Sequence, residues 1–186
     1  MRNHRYLAQL LALALVFGGV ALAATQWTVQ PRESKLTFVG TQGGAQFEGT
    51  FQRFTADIRF DPQDLAASRF DVKIDTASAD TRDSERDDYL KGEDLLAVKQ
   101  FPGAHYVAEQ FAAHGGKYAA TGKLTLRNVT REVPIEFTFE KKDGAAWLKG
   151  SAQLKRLDFG VGQGDWQDTS TVANEVQVNF VLQLKQ

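Results

Sequence analysis

The sequence predicts an all-β protein, an eight-stranded antiparallel up-and-down barrel with a short helix and a lid-like loop. Three observations predict it. From Lys35 to the C-terminus apolar residues recur with period two, which marks half-buried strands rather than helices. Turn chemistry separates the runs at Gly43-Gly44, Asp61-Pro62, Gly115-Gly116, Arg127-Asn128 and Asp143-Gly144, with residues that tolerate tight turns. The runs number eight, an even count that short hairpins can close into a barrel.

Taken in order, Arg2, His4 and Arg5 precede an apolar run from Leu7 to Leu22 broken only by Gln9, and Ala21-Leu22-Ala23 places small residues where a signal peptidase reads. Residues 1–23 are therefore expected to be a cleaved secretory signal, the run being shorter than the ~20 residues of a spanning helix. Residues 24–186 form the barrel domain. Its strands are expected near 35–40, 47–60, 68–76, 104–111, 117–127, 132–141, 147–156 and 175–185. The last is the cleanest, with Val176, Val178, Phe180, Leu182 and Leu184 alternating with polar residues except at Val181. In the second, Phe47, Gly49 and Phe51 are odd-numbered whereas Phe54, Ala56, Ile58 and Phe60 are even. A β-bulge near Gln52 and Arg53 would restore one apolar face.

Between Arg82 and Phe101 the alternation lapses. Ser84 followed by Asp87 resembles a helix N-cap, and Tyr89, Leu90, Leu95 and Leu96 make an irregular apolar stripe. A short helix and an ordered loop are expected there, and long ordered connections over a barrel often act as lids.

Composition narrows the function. The chain of 186 residues carries 22 basic and 23 acidic side chains and no cysteine. Near-balanced charge gives no broad field for nucleic acid, and the absence of cysteine removes disulfides, thiol nucleophiles and Cys-ligated metals. His105 and His114 stand alone without ligands at metal spacing. The acidic stretch Asp80 to Asp88 lacks the glycine-centred spacing of a calcium loop, the Gly160-x-Gly162-x-Gly164 run has no phosphate-binding context, and no serine sits in a triad pattern. The expected protein is not an enzyme and takes no cofactor or metal.

The inward face is the candidate site. Phe38, Phe47, Phe51, Phe54, Ile58 and Phe60 share it with Gly49, Ala56, Ala104, Ala108, Ala120, Gly122, Gly150 and Ala152, and Tyr106, Leu124, Phe137, Phe159, Val178 and Phe180 join them. An eight-stranded barrel is at the size where its interior is either filled or holds one small ligand. Small residues beside large ones suit a hollow interior, and equally a packed core in which Gly and Ala receive neighbouring rings. Arg156 falls in the inward phase. A guanidinium there needs an acceptor; Asp158 is the in-phase partner for a closing ion pair, the alternative being a head-group anchor.

Several phrases in this order resemble the YceI-like family of lipid-binding proteins: Trp27 with Ser34-Lys35-Leu36-Thr37-Phe38, Gly49-Thr50-Phe51, Ile58-Arg59-Phe60-Asp61-Pro62, Arg86-Asp87-Asp88-Tyr89-Leu90 with Phe101-Pro102, Gly122-Lys123-Leu124-Thr125-Leu126, Arg156-Leu157-Asp158-Phe159-Gly160 and Trp166-Gln167-Asp168-Thr169. The resemblance implies a lipocalin-like barrel, exported to the bacterial periplasm, that holds a polyisoprenoid or similar long-chain amphiphile without performing chemistry. It also implies an isoprenoid quinone as a plausible cargo, since relatives are fused to cytochrome b561-type membrane proteins. Transient contact with a membrane or with such a protein, and a homodimer, are the further partners left open. Asn128 stands where the family usually has Gly, and Leu95-Leu96 where it has an aromatic pair. The competing reading is a filled periplasmic barrel acting through its surface in stress or interaction.

Overall fold

A computed structural model describes residues 24–186; the expected signal segment, 1–23, lies outside the described residues. Period-two alternation becomes strands β1 (Gln26–Val29), β2 (Lys35–Gln42), β3 (Ala45–Phe51), β4 (Phe54–Arg59), β5 (Arg69–Asp75), β6 (Ala79–Asp80), β7 (Gly103–His114), β8 (Lys117–Leu126), β9 (Val129–Lys142), β10 (Ala145–Lys155) and β11 (Glu175–Lys185). All pairings are antiparallel, and β1 bonds to both β4 and β11, which closes the ring. Three staves of the wall are broken strands, β1 with β2, β3 with β4 and β5 with β6. With β7 to β11 they make a closed eight-stranded antiparallel barrel, as the sequence predicts.

Four of the expected turns are two-residue hairpins with positive φ at both central positions: Gly43-Gly44, Gly115-Gly116, Arg127-Asn128 and Asp143-Gly144. This conformation matches the right-handed twist of the flanking strands. Asn128, at φ 60°, adopts it without the usual glycine, as Asn tolerates the left-handed region better than most residues.

The expected continuous strand over 47–60 is corrected. The chain leaves the wall at Gln52 and Arg53, so that β3 pairs with β2 and β6 whereas β4 pairs with β1 and β5. The change of phase is thus a change of neighbours. Ser78 holds the break, its carbonyl accepting from the Gln52 N–H and its hydroxyl from the Arg53 N–H. The observed register shift lies between Ala108 and Gln110, where β7 pairs with β8.

The helix α1 (Ser84–Lys91) is present, but its cap is Asp83, whose carboxylate accepts from the Arg86 N–H. Asp87 faces back to Thr81, accepting from its N–H and hydroxyl at 2.8 Å. The helix buries none of its side chains. The loop after it is held instead: Arg127 in the β8–β9 hairpin donates to the carbonyls of Glu93 and Leu95, and the Gly162 and Gln163 N–H groups donate to Asp94 O. One end of the barrel therefore carries two interlocked loops, 80–102 and 156–174.

Candidate ligand-binding site

The interior divides into two regions. At the end opposite the interlocked loops, Phe60 is wholly buried and its ring centroid lies 4.9–6.0 Å from those of Phe70, Phe111, Tyr118, Phe137 and Phe139. Most of these pairs meet edge-on or tilted, as aromatic quadrupoles prefer. Trp27 closes the cluster against Phe139, its indole N–H donating to Phe60 O at 2.9 Å. This is a solid aromatic plug.

Toward the interlocked loops the barrel is hollow. A cavity of about 240 Å³ rests on Ile58, Phe70, Ile135, Leu148 and Leu182 and is walled by apolar side chains. Its polar lining is sparse, and Gln42, Arg86 and Arg156 belong to its upper part, where α1 and the 156–174 loop meet the β2–β3 hairpin. Tyr89, which is exposed, lies 5.6 Å from Trp166, and the Arg86 guanidinium lies 4.6 Å from the Phe47 ring centre. Four side chains from three elements thus frame an aromatic mouth.

Of the side chains expected at the site, the structure gathers Phe38, Phe47, Phe51, Phe54, Ile58, Tyr106, Leu124, Ala152, Arg156, Val178 and Phe180 around the cavity. Phe60, Ala120, Phe137 and Phe159 are buried but do not line it. Phe60 and Phe137 belong to the plug. Ala120 pairs with Ile135 and Phe111 at that level of the wall, and Phe159 falls in the 3-10 turn Arg156–Phe159 beyond β10. The inward phase identifies a face, and height along the barrel decides whether that face meets a neighbour or a void.

The inward glycines follow the packed alternative. A Cβ at Gly49 would collide with the Phe38 ring, and one at Gly122 with the Tyr106 ring. Those positions are small so that rings can lie flat against the sheet, and they leave no void. Tyr106 lies along the wall with its hydroxyl donating to Val133 O at 3.1 Å, and burial raises its pKa. Loop residues that border the cavity, including Leu95, Leu96, Val161, Trp166 and Val172, escaped the strand pattern because loops carry no period. The apolar pair Leu95-Leu96 inside a charged stretch was the usable signal.

Arg156 is buried, and its partner is not Asp158, which is exposed. Its Nε donates to Ala173 O at 3.0 Å, Nη1 to Val161 O at 2.9 Å and Nη2 to Val172 O at 2.7 Å. Burial lowers its pKa, yet a guanidinium stays ionised. Three carbonyl dipoles solvate the cation while it ties both limbs of the 156–174 loop to the barrel rim. Gly162 makes room, since a Cβ there would strike Nη1.

On the outer wall, His105 Nε2 lies 2.7 Å from Asp71 Oδ1, and Arg69 donates to the same carboxylate at 3.0 Å. The His105 hydrogen bond foremost, with help from Arg69, holds the Asp71 pKa below its usual value. Among the described residues no three His, Cys, Asp or Glu side chains converge as metal ligands, and no helix is long and apolar enough to cross a membrane.

A closed antiparallel barrel with a plugged end, an apolar lumen and an aromatic mouth defines a lipocalin-like architecture. The YceI-like domain model matches residues 27–184, and the chain belongs to the YceI-like family. It is 32% identical over 171 residues to a UPF0312 protein of Pseudomonas savastanoi pv. phaseolicola, covering 86% of this chain and 88% of that one. Burkholderia cenocepacia BcnA superposes with a TM-score of 0.81 at 36% identity, covering 83% of this chain and 98% of the other. A polyisoprenoid binding domain from Saccharophagus degradans, described as implicated in plant cell wall breakdown, shares the fold with a TM-score of 0.69 at 15% identity, over 86% and 97% of the two chains.

Proposed function

We propose that this protein is an exported, non-catalytic carrier or store for a long-chain amphiphile of the isoprenoid class, lipid or quinone, whose chain lies in the barrel lumen. The observation that carries the reading is the apolar-lined cavity. Its walls offer dispersion contacts and remove apolar surface from water, at about 0.8 kcal/mol for each methylene buried. They present few groups to recognise a polar or branched-polar solute. Half-buried Val176, Val178 and Phe180 face this space from one strand, leaving apolar surface for a ligand to cover. The name of the Saccharophagus relative, a polyisoprenoid binding domain, agrees with an isoprenoid, and the apolar N-terminal run agrees with export.

The volume sets a limit. At about 240 Å³ the lumen lies below the usual 300–1,000 Å³ range of small-molecule sites. It suits part of a long prenyl chain, with the remainder and the head outside. Native mass spectrometry of protein purified without detergent tests the reading, which expects an apolar chain to co-purify and to exchange for added prenol. A bare mass, with no uptake of prenol by delipidated protein, would overturn it and leave a barrel that acts through its surface.

A further inference from the structure

The barrel wall has a slot. The β1–β4 ladder stops at Thr28 opposite Asp57, and the β2–β3 ladder begins at Thr37 opposite Thr50. Between them residues 30–35 and 52–55 face one another with no hydrogen bond joining these two stretches among the described residues. The neighbouring break, between β3/β4 and β5/β6, is sealed by Ser78 and by the Asp75 N–H donating to Arg53 O. Of these two breaks, only the first leaves a gap among the described residues.

Behind it stand the half-buried rings of Phe51 and Phe54. These two, with Ile74 and Ala104, border both the lumen and an open groove on the outer wall, so the two spaces share one boundary. The groove is rimmed by Lys35, Arg53, Lys73 and Asp75. Arg53 is matched by Asp75 at 2.8 Å. Neither Lys35 nor Lys73 has a carboxylate within ion-pair distance among the described residues.

The upper mouth differs in sign. Arg86 there is paired with Asp83 at 3.1 Å and stacked on Phe47, Arg156 is committed to three carbonyls, and Glu85, Asp88, Glu93 and Asp94 are exposed around α1 and its loop. An anion is disfavoured at the mouth and favoured at the slot.

We propose that the slot is a lateral portal: the prenyl chain passes between Phe51 and Phe54 into the lumen, and a phosphate-bearing head rests in the outer groove between Lys35 and Lys73. The proposal rests on the carrier reading and adds the head-group class and the exit. It also accommodates a lumen too small for a whole polyprenyl lipid.

Delipidated protein is titrated with geranylgeranyl phosphate and with geranylgeraniol, which differ only in the head. The double variant Lys35→Glu/Lys73→Glu is expected to lose about tenfold in affinity for the phosphate, a shift of about 1.4 kcal/mol, and to keep the affinity of the alcohol. Unchanged phosphate binding, or equal weakening of both ligands, overturns the portal. Failure of the wild type to bind either ligand instead overturns the carrier reading. Because the chain has no cysteine, a single nitroxide can be attached at Gln52→Cys or at Tyr89→Cys. The phosphorus resonance of the bound phosphate is expected to broaden more from position 52. Greater broadening from position 89 would put the head at the mouth and refute the lateral exit.

Discussion

The plugged and hollow halves of this barrel are made from the same strands, with the same alternation and comparable numbers of aromatic rings, yet one is solid and the other is not. In the plug, rings from β5, β7, β8 and β9 converge on Phe60, which enters from the end of β4 and is fixed by the Trp27 hydrogen bond. In the hollow half, the rings of Phe38 and Tyr106 lie along the wall over Gly49 and Gly122, so they thicken the wall without crossing the middle. Ring direction, more than residue size, decides whether space remains. Stability should therefore concentrate at the plug and binding at the lumen.

The largest expected effect tests this division directly. Phe60→Ala should cost about 3–5 kcal/mol, the range for removing a buried aromatic from a packed core. Val178→Ala, whose side chain borders the cavity, should cost less than about 1.5 kcal/mol because it enlarges an existing void. Urea unfolding of delipidated protein measures both. Similar losses at the two sites would dissolve the distinction.

Arg156→Leu should come next. It strands the carbonyls of Val161, Val172 and Ala173, and a loss of about 3 kcal/mol is expected from unpaired buried acceptors. Amide exchange in residues 160–174 should rise ahead of exchange in the plug. If the loop keeps its protection, the guanidinium is not its fastener.

Two alanines sharpen the contrast further. Ala120→Phe adds volume beside the plug and should destabilise by about 1–3 kcal/mol, as overpacking does. Ala152→Leu adds volume to open space, so its urea midpoint should equal or exceed that of the wild type while uptake of a fluorescent prenol falls. Tolerance of the first, or a clear loss of stability in the second, would relocate the boundary between the halves.

The smallest effect belongs to the outer wall. The folded-state pKa of Asp71 lies below its usual 3.8, so the folded protein binds fewer protons there than the unfolded chain and the carboxylate's contribution is complete above that value. It disappears as pH falls through the lowered pKa. Asp71→Asn should cost under about 1 kcal/mol at pH 6, typical of partly exposed pairs. The gap between variant and wild type should close in urea titrations carried below pH 3, and a gap that widened toward acid would reverse the assigned sign.

The sequence by itself determined the strands, the turns and the inward face, because these depend on near neighbours along the chain. Alternation between water and core marks a strand, and a two-residue hairpin of Gly-Gly or Asp-Gly announces itself locally. The change of phase at Gln52 and Arg53 was legible too, though its meaning was not: a bulge and an exchange of partners look alike until the neighbouring strands are in place. Likewise the alternation that put Phe60, Ala120 and Phe137 inside could not tell them from Phe54 or Ala152, since barrel height, strand tilt and ring direction arise from closure. Two of the three acceptors of Arg156 came from carbonyls 16 and 17 residues away, and none from the carboxylate nearest in sequence. Only the tertiary structure decided where the interior is empty, because a void belongs to no residue and exists only where side chains from separate strands fail to meet.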